Sequence, residues 1–156
     1  MAACGSIRLN GNDWSKRYPP IIQDAAKIKG SAIIDAEAVW LGLDGAASFD
    51  ALHSRLNDHT AAACAFDLLM FNDEDVRRKP FIERKATLRK VLRNTLTGIQ
   101  YVEHTEGDGG KLFDAVCKLG VSKRLDAPYR SGPSKSWIKV KNPKAPAAIR
   151  VIDGTF

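Results

Sequence analysis

The stretch Ala61-Ala62-Ala63-Cys64-Ala65-Phe66-Asp67-Leu68-Leu69-Met70-Phe71 is an apolar run interrupted only by Asp67. It is far shorter than the roughly 20 apolar residues that a membrane-spanning helix requires. The polar loop Asn72-Asp73-Glu74-Asp75 bounds it, so the run reads as a buried strand.

Working outward, Ala32-Ile33-Ile34 and Ala38-Val39-Trp40-Leu41 flank the acidic triplet Asp35-Ala36-Glu37. This segment predicts one long strand or two short ones, closed by a turn at Leu43-Asp44-Gly45. Before it, Ile21, Ile22, Ala25, Ala26 and Ile28 recur at helical spacing, with Pro20 at the start and Gly30 just past the end. Between the two strand segments, Ser48 can cap a short helix carrying Phe49, Leu52 and Leu56, which Asn57-Asp58-His59 ends. After the apolar run, Pro80 opens an amphipathic helix with Ile82, Leu88, Val91 and Leu92 inward and Arg84, Lys85, Arg89 and Lys90 largely outward. Ile99 to Glu103 reads as a strand, and Leu112, Phe113 and Val116 mark a helix ending near Gly120. Val121 to Arg124, Trp137 to Lys141 and Ala148 to Ile152 are short candidate strands between turns. Helices interspersed with uneven strands, without a constant strand–helix repeat, predict an α+β fold of antiparallel sheets with flanking helices.

A chain of 156 residues suits one domain. No apolar stretch is long enough for a membrane span, and the first residues lack a basic segment followed by an apolar one; a cytoplasmic protein is the expectation. Cys4, Cys64 and Cys117 are far apart and form no C-x-x-C pair, and His53, His59 and His104 lie at no ligand spacing. Neither a disulfide framework nor a metal site is indicated. Residues 1–120 hold 16 Lys+Arg and 16 Asp+Glu, whereas 121–156 hold 8 against 2. The whole positive excess therefore lies in the last quarter, where it would attract polyanions or serve only as a soluble surface.

Four patterns follow one another: Ile34-Asp35-Ala36-Glu37, Ala65-Phe66-Asp67-Leu68-Leu69, Val121-Ser122-Lys123-Arg124 and Ser136-Trp137-Ile138-Lys139-Val140-Lys141. Asp126-Ala127-Pro128-Tyr129-Arg130-Ser131-Gly132 lies between the last two. On a strand, Asp35 and Glu37 share one face, as do Lys139 and Lys141. Taken singly, each has an ordinary alternative: a solvated acidic edge, a core phenylalanine, a solvated pair of lysines.

In this order the patterns resemble the covalent nucleotidyltransferase motifs of ATP-dependent DNA ligases, most of all the bacterial ligases associated with double-strand break repair. The likeness runs from about Ile7 to Asn142. It implies the ATP-grasp-like nucleotidyltransferase fold of ligases and capping enzymes, with residues 1–156 forming a partial adenylation domain without the OB-fold domain that follows it in the family. It also implies ATP and Mg2+ as ligands, and DNA, as nicked duplex or ends, as the partner in repair and recombination. By the same resemblance Glu37 contacts the nucleotide sugar, Phe66 stacks on adenine, and Lys139 and Lys141 hold the α-phosphate. Lys123, Arg130 and Lys135 are candidate DNA or phosphate contacts.

The sequence also departs from the family pattern. Ala36 replaces the usual glycine, and Leu9-Asn10-Gly11 stands where Arg-Asn-Gly is common. Leu119-Gly120 runs directly into Val121-Ser122-Lys123, a gap that removes the glutamate by which the family positions its metal. No Lys-x-Asp-Gly, the motif of the family's reactive lysine, occurs in these residues. The expectation is a domain with no catalytic nucleophile of its own, missing an N-terminal piece and defective in self-adenylation. A non-catalytic module that binds nucleotide or DNA is the alternative.

Overall fold

The computed structural model describes residues 5, 11–42, 49–95, 97–104, 119–123, 125–132 and 137–141. The turn expected at 43–45, the cap Ser48, the helix body at 112–118, the strand at 148–152 and Lys135 lie outside them.

Helix α1, Pro19–Ala25, has proline in its first turn, and the chain leaves it through Gly30 at φ +90. Strand β1, Ala32–Val39, is one continuous strand through the acidic triplet, and α2, Phe49–His53, follows. After a 3-10 turn at Asp58–Thr60 comes β2, Ala62–Phe71. Asn72 and Asp73, at φ 47 and 65, make a two-residue hairpin turn that pairs Phe71 with Glu74. Two consecutive left-handed residues match the twist of the flanking strands, and Asn and Asp tolerate that conformation. The stretch read as a loop therefore contains a short strand β3, Glu74–Asp75. Helix α3, Phe81–Val91, begins after Pro80, and β4 is Ile99–Tyr101.

Strand β2 is the spine of this sheet. It pairs antiparallel with β1 and β3, while β4 runs parallel to it. Among the described residues the pairings are antiparallel as expected, apart from the parallel β2–β4 pair. A second sheet joins β5, Leu119–Lys123, to β6, Trp137–Lys141, in antiparallel register. The helix expected to reach Gly120 thus gives way to strand at Leu119.

The core gathers Ala61, Ala63, Ala65 and Leu68 of β2 and its approach with Tyr18, Ile21, Leu88, Leu92 and Ile99. Ala32, Ile34 and Ala38 of β1 pack against it, which leaves Asp35 and Glu37 on the opposite face. Along β2 the core positions step from Ala65 to Leu68, an odd interval that a regular strand forbids. The register supplies the reason: Ala36 pairs with Ala65 and Asp35 with Asp67, so Phe66 is the extra residue of a β-bulge.

Helix α3 corrects a second expectation, since Arg84 and Lys85 face inward at 1% exposure each. Phe81, Arg84, Lys85, Leu88 and Leu92 form one buried stripe at the 3–4 residue spacing of a helix face. The Arg84 Nε and Nη2 donate to the Asp67 carboxylate at 2.8 and 3.0 Å. Lys85 donates to the Val102 carbonyl and lies 4.0 Å from the Tyr101 ring centroid. Buried Asp24 likewise accepts from the backbone N–H groups of Gly98 and Ile99, at 2.7 and 3.0 Å, fixing the entry to β4 against α1.

Candidate functional site

The face of the sheet away from the core carries the acidic pair. Glu37 is exposed and Asp35 half-buried, two positions apart on β1. Opposite Glu37 in the register is Cys64, whose thiol is pushed up by burial and then by the Glu37 charge. Asp35 stands opposite Asp67. Two carboxylates on adjacent strands repel unless they are compensated, and both are. Asp67 receives the Arg84 guanidinium, and Asp35 accepts a hydrogen bond from the Tyr129 hydroxyl at 3.1 Å. Burial, then the Asp35 charge and hydrogen bond, push the Tyr129 phenol up to about 12.

Phe66 is half-buried at its bulge and lies outside the cluster of fully buried core residues. A bulge bends its strand and re-aims the extra residue.

The structure brings Glu37 and Phe66 onto neighbouring strands of one sheet. Lys139 and Lys141 lie on β6, their backbones paired with Val121 and Leu119 of β5, and Lys123 is paired with Trp137. Arg130 is exposed and follows Tyr129 directly.

The ladder, the acidic strand and the bulged aromatic strand give the geometry against which known proteins can be set. Residues 8–141 match the family described as ATP dependent DNA ligase domain. The chain belongs to that family. The ligase-family chain is 31% identical over 149 residues to the multifunctional non-homologous end joining protein LigD of Pseudomonas aeruginosa, covering 88% of this chain and 18% of that protein. It is 30% identical to DNA ligase 1 of Saccharomyces cerevisiae, covering 88% of this chain and 22% of that one. A solved structure of mycobacterial DNA ligase D complexed with ATP and MES superposes with a TM-score of 0.74 at 28% identity, covering 86% of this chain and 46% of that one. The ligase domain of M. tuberculosis LigD gives the same TM-score at 26% identity. The chain thus spans about a fifth of the curated relatives and about half of the solved ones. The nucleotidyltransferase fold of the ligases is the fold of this chain.

Sequence reasoning missed Arg84 and the contact made by Tyr129. Arg84 was within reach: Asp67 in an apolar strand demanded a cation, and Arg84 shares a helix stripe with Leu88 and Leu92. The Tyr129–Asp35 bond joins residues 94 apart in the chain, and no local pattern announces it.

Proposed function

We propose that this chain provides the nucleotide-binding surface of an ATP-dependent DNA ligase adenylation site. In this reading Phe66 stacks on adenine, Glu37 receives the ribose, and Lys139 and Lys141 hold the α-phosphate. The observation that carries it is the placement of Phe66: a half-buried aromatic side chain at a β-bulge, on the strand next to Glu37. A base on an aromatic face gains about 1–3 kcal/mol without needing specific hydrogen bonds. Paired ammonium groups at the α-phosphate would stabilise the charge that develops during nucleotidyl transfer.

Among the described residues no group of three or more His, Cys, Asp or Glu side chains gathers as metal ligands. Mg2+ commonly takes one or two carboxylates together with substrate phosphates, and Asp35 already accepts from the Tyr129 hydroxyl, so an ion here would be carried mainly on the nucleotide phosphates. When bound, Mg2+ would neutralise phosphate charge. Arg130, Lys123 and Lys135 are the proposed contacts to DNA phosphates, with the salt dependence such contacts bring.

These 156 residues contain no Lys-x-Asp-Gly, so we expect them to hold ATP without forming a covalent lysine–AMP. The test is equilibrium dialysis with labelled ATP and Mg2+, followed by a denaturing gel. Binding that is lost in Phe66→Ala and in Lys139→Ala/Lys141→Ala, with no label on the denatured chain, is the expected result. Undiminished binding in both variants, or a covalent adduct, would overturn the assignment.

A further inference from the structure

Residues 125–130 follow β5 and are tied down at successive points. The Leu125 carbonyl accepts from the Ile82 backbone N–H at 3.0 Å, and the Ala127 carbonyl from Arg84 Nη1 at 3.1 Å. The Tyr129 N–H donates to the Arg77 carbonyl at 2.7 Å. The last tie is the Tyr129 hydroxyl, which reaches Asp35 on β1 at 3.1 Å. Arg84 is thus a two-sided clamp: its Nε and Nη2 hold Asp67, the residue after the bulged Phe66, and its Nη1 holds this strap.

Asp35 and Glu37 are alternate residues of one strand, and two residues of strand span about 7 Å. A tyrosine fixed on Asp35 therefore stands one side-chain width from Glu37. We infer that Tyr129 is a positioning residue of the nucleotide site, and that with Arg84 it fixes residues 125–130 as a wall beside Glu37 and Phe66. This rests on the nucleotide-binding reading above and deepens it. The Tyr129–Asp35 bond sets where the wall stands. Asp35 acts through Tyr129 and holds no ligand itself in this role.

The experiment uses the 156-residue chain with Tyr129→Phe, Asp35→Asn and the double variant. It reads the ATP dissociation constant, amide hydrogen exchange across residues 125–130, and the melting temperature. Loss of one hydrogen bond is expected to weaken ATP binding about 3- to 10-fold. Exchange in the strap should speed up, the two single changes should be non-additive, and the melting temperature should barely move. Faster strap exchange with unchanged ATP affinity reduces Tyr129 to a structural tie and overturns the inference, while the nucleotide reading stands. Unchanged exchange and unchanged affinity overturn it as well. Failure of the unmodified chain to bind ATP overturns the nucleotide reading and this role together.

Discussion

Replacing Arg84 by Met removes the guanidinium that holds the buried Asp67 carboxylate while keeping most of the side-chain volume. Asp67 is 0% exposed and Arg84 1%, and two hydrogen bonds of 2.8 and 3.0 Å join them. Breaking one side of such a buried pair costs about 3–5 kcal/mol, because the remaining charge stays desolvated. That is a large part of the roughly 5–15 kcal/mol by which a domain is stable. Removing both members with Arg84→Met/Asp67→Leu eliminates the stranded charge. It still leaves the Lys79 and Ala127 carbonyls, which Arg84 Nη1 serves at 2.5 and 3.1 Å, without that donor. The double variant should therefore be destabilised by about 1–3 kcal/mol, less than either single variant. Urea unfolding followed by tryptophan fluorescence measures all three, and the double-mutant cycle should return a coupling of about 2 kcal/mol or more. A cost below about 1 kcal/mol for Arg84→Met, or simple additivity in the cycle, would refute the view of Asp67 and Arg84 as a compensated buried pair.

The Tyr129 phenol, raised from 10.0 to about 12, binds its proton more tightly in the folded chain than in the unfolded one. Its contribution to stability is full below the unfolded pKa and is lost as pH rises through the folded one, between 10 and about 12. Urea midpoints against pH should fall more steeply there for the unmodified chain than for Tyr129→Phe, and parallel curves would count against it. Gly98→Ala would place a Cβ 2.0 Å from the Pro20 carbonyl oxygen; backbone must move, at about 1–3 kcal/mol, which a drop in melting temperature checks. Asp24→Ala strands the N–H groups of Gly98 and Ile99, and should cost about 1–3 kcal/mol and accelerate exchange at both amides. Glu37→Gln removes a charge that helps to raise the Cys64 thiol, so alkylation of Cys64, followed by peptide mass spectrometry, should become faster; a slower reaction would contradict the register that sets Glu37 opposite Cys64.

What the sequence made legible was whatever depends on short-range pattern. Strands β1, β2 and β6, helices α1 and α3, and the acidic triplet were readable from alternation, helical spacing and proline placement. Three features escaped because their cause lies elsewhere in the chain. The parallel pairing of β4 depends on which edge of β2 is open, and β5 begins at Leu119 because β6 offers it a partner. Arg84 and Lys85 are cationic by composition yet buried by geometry, each with acceptors that only the tertiary fold assembles. Of the candidate site, the acidic triplet and the aromatic strand were visible as motifs. The bulge at Phe66 was not, since an extra residue in a ladder is defined only against its partner strand.

The tight turn after β2 has a consequence for assembly fidelity. Ser31 meets that turn three times: its carbonyl accepts from the Asn72 N–H, its hydroxyl accepts from the Asp73 N–H, and the same hydroxyl donates to the Asp73 carboxylate. Ser31 immediately precedes β1, so these bonds act as an end stop against which the strand is threaded. A slip by a single position would send Ile34 and Ala38 to solvent and drive two carboxylates into the apolar interior. The stop at the far end of the ladder thereby proofreads the face on which Glu37 emerges.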